Sequence, residues 1–242
     1  LSELPPRTEQ TINVEMTDAE RAFYEALRQQ SLDRLAAMDA PTGRRKIQIL
    51  AEITRLRRAC CNPALIDPAA GVASGKLDAF VELVEELIRN RHRALVFSQF
   101  VGHLELVRAA LDARGIRYEY LDGSTPSAER ARRVAAFQAG GAELFLISLR
   151  AGGTGLNLTA ADYVVHLDPW WNPAVEDQAS DRAHRIGQER PVTIYRLIMR
   201  DSIEDRILQL HRDKRDLASD ILEGGEASAR LSEEALLELI RG

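Results

Sequence analysis

The feature that most constrains this chain is a run of short, nearly continuous apolar blocks separated by segments with helical spacing. The blocks are Arg93 to Phe97, Tyr118 to Leu121, Leu144 to Ser148, Tyr163 to Leu167 and Val192 to Ile198. Each is too short for a helix, and Ala94 to Phe97 and Leu144 to Ile147 carry no polar residue for a wet face. Between them lie helical stripes such as Leu77, Phe80, Val81, Val84, Leu87, Ile88 and Leu104, Val107, Leu111. Buried strands alternating with helices predict an α/β fold, a mainly parallel sheet covered on both faces. Such sheets take ligands beyond the carboxyl ends of their strands.

The flanks read differently. Thr17-Asp-Ala-Glu20 forms a capping box ahead of a helix carrying Phe23, Tyr24 and Leu27. Ala40 to Gly43 breaks it, and a second helix from about Arg45 places Ile47, Leu50, Ile53 and Leu56 at helical spacing. A connector rich in Pro, Ala and Gly follows from Asn62 to Gly75. After the last strand, Ser202 caps a helix with Ile207, Leu210 and Leu217. Gly224-Gly225 interrupts, and Ser232 starts a short final helix. Thr125 is expected to cap a helix with Pro126 in its first turn. The resulting division is 1–70 with the helical hairpin and connector, 71–200 for the sheet, and 201–242 for closing helices.

The net charge of −5 argues weakly against nucleic acid, but it conceals a polarity. Arg44, Arg45, Lys46, Arg55, Arg57 and Arg58 crowd one early segment, and acids gather between Asp201 and Glu238. Those early bases either add phosphate contacts or form a solvated face. The only cysteines, Cys60 and Cys61, are adjacent, so a reduced, packed pair is expected and the chain reads as cytoplasmic. No apolar run is long enough to span a bilayer, and no membrane role or metal site is expected.

The segment after Asn172-Pro173 carries the chemistry. Val175, Ala179, Ala183 and Ile186 make a stripe for the sheet, while Gln178, Asp181, Arg182 and Arg185 share another helical face. Two readings of that polar face stand: a solvated surface with an Asp181–Arg185 pair, or an anion clamp. Guanidinium forks match phosphate geometry in a way lysine cannot. His166 and His184 are read as structural.

Asp181-Arg-Ala-His-Arg-Ile-Gly-Gln188 resembles motif VI of helicase superfamily two in its SWI/SNF form, with Asp168-Pro-Trp-Trp-Asn-Pro173 ahead of it. Leu149 to Leu158 resembles motif V, Val96 to Phe100 motif IV, and Leu121 to Thr125 with Arg130 the motif that follows it. Leu56 to Pro63 also matches the family's wording. The resemblance implies a RecA-like lobe, a three-layer sandwich with a helical insert and C-terminal brace helices, forming the second half of an ATP-driven double-stranded-DNA translocase. It implies arginine fingers at Arg182 and Arg185, supported on the nucleotide side by Gly153, Gly155, Gln178 and Asp181. It further implies DNA contacts from Ser98, Gln99, Ser124, Thr125, Arg150, Thr154, Asn157 and Trp171. Arg150 stands where the family more often has lysine, which keeps the charge and changes the geometry. The role of Trp170 is left open.

Gly71-Val-Ala-Ser-Gly-Lys-Leu77 is a false echo of a phosphate loop. It has three residues between its glycines instead of four, and Leu after the Lys. It reads as a helix start. The acidic metal-binding box is also missing. ATP and Mg²⁺ are therefore expected to be held mainly by a first lobe in the same natural chain, with no cofactor bound tightly here. The isolated chain is expected to be inactive. A start at Leu1 suits a piece of a longer protein. Leu236, Leu237, Leu239 and Ile240 are expected to be partly exposed and to promote weak self-association. The location would be the nucleoid region of a bacterial cytoplasm or a eukaryotic nucleus. Two alternatives remain: a non-catalytic lobe that binds DNA or a partner, and a related motor acting on RNA or polymerase complexes.

Overall fold

The computed structural model describes residues 4–39, 41–151, 155–218 and 231–242. Six strands form one sheet in the order β1-β6-β5-β2-β4-β3. They are β1 Arg7–Val14, β2 Ala94–Ser98, β3 Tyr118–Leu121, β4 Leu144–Ser148, β5 Tyr163–His166 and β6 Val192–Met199. β2 lies between β4 and β5, parallel to both, and β3 and β6 extend the parallel pairing outward. On β1, Pro6 O accepts from Val192 N and Val14 O from Arg200 N, so the register rises along both strands and this pair is parallel too. Every residue of β2 and β4 is buried, as continuous apolar blocks require.

The helices are α1 Asp18–Ala36, α2 Thr42–Cys61, α3 Gly75–Arg89, α4 Val101–Asp112, α5 Ser127–Gln138, α6 Pro173–Ser180, α7 Ile203–Ala218 and α8 Glu233–Arg241. On one face of the sheet Val96, Leu144, Leu146 and Val165 pack against Phe80, Val84, Leu104 and Val107 of α3 and α4. On the other, Leu95, Phe97, Phe145 and Val164 pack against Phe137 of α5, Ala179 of α6, and Leu158 and Ala183. This is the expected three-layer sandwich.

By its internal contacts the chain divides into two units, 1–12 with 77–170 and 174–197, and 13–76 with 171–173 and 198–242. The first is the sheet unit. In the second, the Thr17–Glu20 capping box forms as predicted. Glu20 also accepts from Gly75 N at 2.8 Å. A Cβ at Gly75 would lie 3.0 Å from that carboxylate, which favours glycine at the start of α3. Tyr24 Oη accepts from Ile203 N at 2.8 Å and so caps α7. Lys76 and Glu204 are both fully buried, with Nζ 2.6 Å from each carboxylate oxygen. Lys76 is thus bound inside the fold and unavailable to a phosphate, as its helix-start reading requires.

Several expectations need correction. The buried stripe of α2 is Ile49, Ile53 and Leu56, while Ile47 is exposed. Pro126, not Thr125, is the N-cap of α5, and it has no side-chain bond to offer. Leu236, Leu237, Leu239 and Ile240 are all buried, so α8 presents no apolar patch. Of the early bases Arg57 is buried, Arg44 and Arg58 are exposed, and several are tied to the fold. Arg45 pairs with Glu233, Lys46 donates to Leu231 O, and Arg58 donates to Leu65 O. Cys60 and Cys61 are buried and in no disulfide, and burial pushes Cys60 up to about 12. Gly224-Gly225 lies outside the described residues. Among those described, no helix is long and apolar enough to cross a membrane.

Candidate nucleotide and nucleic-acid site

Helix α6 ends at Ser180, so the four-residue polar face is not one continuous helix. The chain turns on through tightened bonds, Ala183 N to Ser180 O at 3.1 Å and Gln188 N to Arg185 O at 3.0 Å. Gly187, at φ +100°, makes a left-handed turn that side chains resist. This bend removes Ile186 from the expected apolar stripe and leaves it 82% exposed, while Ala179 and Ala183 stay in the core. The predicted polar group nevertheless converges. Gln178, Asp181, Arg182 and Arg185 line one pocket of about 530 Å³ with Gly155 and Leu156.

The two arginines differ. Arg182 is 9% exposed, and its guanidinium carbon lies 5.6 Å from the Phe97 ring centroid, near the carboxyl end of β2. Burial, then the Arg130 charge, pushes Arg182 down to about 10. It remains a cation at neutral pH, in surroundings that an incoming anion would improve. Arg185 is exposed, and among the described residues its one hydrogen bond is a long 3.4 Å contact to Leu156 O. Asp181 does not pair with Arg185. Its carboxylate takes Arg7 Nη1 at 2.8 Å, and Arg7 Nη2 reaches Asp177 at 3.1 Å.

Behind the pocket, β1 and β6 supply an ionic chain. Glu9 accepts from Arg7 and from Arg196 Nη1 at 2.8 Å, and Arg196 Nε donates to Glu176 at 2.8 Å. Glu176 also takes Trp170 N. Burial pushes the Glu176 carboxyl up, but His166 and Arg196 outweigh it and the net direction is down. Neither Arg7 nor Arg196 stands out in the sequence, because the contacts that tie β1 to this site, Arg7 with Asp177 and Asp181 and Arg196 with Glu9, join residues 170 to 187 positions apart. Gln188 was also passed over as mere motif wording. Its Nε2 donates to Thr159 O, Ala161 O and Ala183 O, and its Oε1 accepts from Glu189 N and Arg190 N. It thus pins the turn to the segment before β5.

The expected DNA-facing residues are scattered. Ser98 is fully buried, and its Oγ donates to Asp168, so it orders this corner and cannot meet DNA itself. Gln99, half-buried, donates to Pro169 O. Asp122 gathers Ser124 N, Ser124 Oγ and Thr125 Oγ1. The Ser124 hydroxyl, more than any other contact, holds its carboxyl below the usual range. Ser124, Arg150 and Asn157 are exposed. Gly153 and Thr154 lie outside the described residues, and Gly155 sits at φ +101°. Trp171 belongs to the second unit, half-buried, with the Arg57 guanidinium 5.5 Å from its ring. Trp170 packs against the core beside α6. His166 donates or accepts with Ser180 at 2.9 Å, and burial pushes it down to about 4. His184 bonds Pro5 O.

A second hollow of about 500 Å³ opens beside the amino ends of β5 and β6, but its charges satisfy one another. Asp162 there takes His92, Arg93 N and Arg190.

The model of the helicase conserved C-terminal domain matches residues 75–187, a span ending at the arginine turn. A mouse protein, "SWI/SNF-related matrix-associated actin-dependent regulator of chromatin subfamily A member 1", is 34% identical over 98% of this chain and 24% of its own length. This chain is a SWI/SNF-type C-terminal lobe of helicase superfamily two. The Bacillus subtilis "Putative ATP-dependent helicase/translocase YwqA" is 35% identical over 98% of the chain and 26% of that protein. A solved "Sulfolobus solfataricus SWI2/SNF2 ATPase core in complex with dsDNA" superposes with a TM-score of 0.79 at 30% identity, covering 97% of this chain and 50% of that one. The SWI/SNF-type lobe thus spans about a quarter of the length of the curated relatives it matches.

Proposed function

We propose that this lobe completes an ATP-hydrolysing motor on double-stranded DNA by lending Arg182 and Arg185 to phosphates held mainly on another lobe. The observation that carries this reading is the pocket in which a buried and an exposed arginine converge with Gln178 and Gly155. Its donor set suits an anion with several charged oxygens. When bound, ATP would supply the phosphoryl group that water receives. Arg182, fixed against Phe97, gives a positive charge that does not need to reorganise. Arg185, lightly held, can reach outward. Charge neutralisation of this type is worth ~10³–10⁵ in rate. Gly155, at φ +101°, lets backbone approach a phosphate.

Ser124, Arg150 and Asn157, exposed and polar, together with Gln99, are proposed to hold the DNA backbone, which positions a duplex without reading its sequence. The Sulfolobus core solved with duplex DNA supports that substrate class. The lobe alone is proposed to turn over ATP negligibly, since the first lobe must supply the phosphate loop and metal-binding acids.

The test is Arg185→Ala in the full-length protein. DNA-stimulated ATP hydrolysis is expected to fall at least about a thousandfold while nucleotide binding persists. Near-normal turnover would overturn the assignment. Comparing stimulation by duplex DNA, single strands and RNA separates a duplex translocase from the alternatives.

A further inference from the structure

The geometry points to Arg7 as a positioning residue that keeps Asp181 off the arginine finger Arg185. This inference rests on the motor reading above and adds a residue that reading does not contain.

Asp181 lies four positions before Arg185, the spacing at which an acid and a base pair along a helix-like turn. It also lines the same pocket. Left alone, its carboxylate would compete for the Arg185 guanidinium. The fold gives it another cation. Arg7 Nη1 holds Asp181 at 2.8 Å, and Arg7 Nη2 holds Asp177 at 3.1 Å. Glu9 in turn fixes Arg7 through Nε at 3.1 Å and Nη2 at 2.7 Å. The Arg7 fork is therefore anchored on its own strand and presented to two carboxylates at once. Asp177 has a second cation, Arg196, at 3.9 Å, whereas among the described residues Asp181 meets only Arg7.

Magnitude distinguishes this role from a structural one. The Asp181 side chain is 59% exposed, and exposed ion pairs add at most about 1 kcal/mol to folding. Losing Arg7 should therefore leave the fold nearly as stable as before. It should still free one negative charge beside the two arginines. That charge both competes for Arg185 and repels an incoming phosphate.

The experiment uses the full-length protein and DNA-stimulated ATP turnover. Arg7→Gln is expected to lower kcat/KM about three- to tenfold, as a competing surface ion pair would, with little change in thermal stability. In the Asp181→Asn background, whatever turnover that change alone leaves, adding Arg7→Gln is expected to alter kcat/KM by less than about twofold, because no charge remains to be freed. If Arg7 served only to clamp the turn, it would cost the same roughly three- to tenfold in that background, and the inference falls. It also falls if Arg7→Gln turns over like wild type while Arg185→Ala is dead. An active Arg185→Ala variant would instead remove the finger assignment itself.

Discussion

Replacing Lys76 with methionine tests the least obvious element of this fold. Lys76 and Glu204 are fully buried, with Nζ 2.6 Å from both carboxylate oxygens. Burial alone would pull the Lys76 ammonium down, but the Glu204 carboxylate outweighs it and the net direction is up, so the pair is ionic. At this distance and an effective dielectric near 20, the attraction is about 6 kcal/mol. Desolvation of the two ions offsets much of it. Lys76→Met therefore does not lose that full amount; it leaves a buried carboxylate without its cation, which costs about 3–5 kcal/mol. Equilibrium urea unfolding of the isolated chain at neutral pH, with unchanged slope, is the assay. Glu204 Oε2 also accepts from Met199 N, so the second change must keep an acceptor. Lys76→Met with Glu204→Gln should regain about 2 kcal/mol over the single variant, since only the charge is removed. A loss under about 1 kcal/mol for Lys76→Met would refute the buried-pair argument. A loss of nucleotide affinity at unchanged stability would revive the phosphate-loop echo.

The remaining predictions use the same physics. Gln188→Leu removes the donor for three carbonyls and should cost about 3 kcal/mol by the same unfolding assay. A change below about 1 kcal/mol would show the hub to be idle. Tyr24→Phe takes the acceptor from Ile203 N and should cost about 1–2 kcal/mol, read as a lower urea midpoint. His166, held near 4 in the fold against 6.5 in an unfolded chain, is neutral when folded while the unfolded state takes up a proton. Its contribution is present above pH 6.5 and is lost as pH falls toward 4, by about 3 kcal/mol in all. His166→Gln should flatten that slope, and an unchanged slope would refute the assignment.

Much of the sheet was legible because β2 and β4 are filled with residues that suit a doubly buried strand, while β3, at the edge, is marked by its two tyrosines and the turn residues after it. The helical stripes were legible where burial is one-sided, as in α3 and α4. Ile47 misled because an apolar side chain carries no sign of which way it faces; Ile53 and Leu56 are buried as expected, and Ile49 rather than Ile47 begins the stripe. Ile186 misled for another reason. Gly187 and the distant Gln188 contacts bend the chain after Ser180, and helical periodicity cannot register a bend held from Thr159 and Ala161. The arginine pair and most of the polar pocket lining were readable from spacing and motif wording, whereas Leu156 and Ile186 in that lining were not. Ser98 showed the limit of motif transfer, since a polar residue at a strand end can face inward and serve a neighbouring carboxylate. Arg7 had no local signature at all, being separated from Asp181 by 174 positions.

The second unit is assembled from 13–76 and 198–242, two stretches with the sheet-forming sequence threaded between them. A ribosome delivers α1 and α2 long before α7 and α8 exist. Until then Tyr24 has no Ile203 amide to receive, and Lys76 has no carboxylate. The nascent helical hairpin must wait with its apolar side uncovered through the synthesis of well over a hundred residues, a delay that invites chaperone engagement. Stalled translation or clipping near position 200 would therefore spoil the opening segment as surely as the closing one.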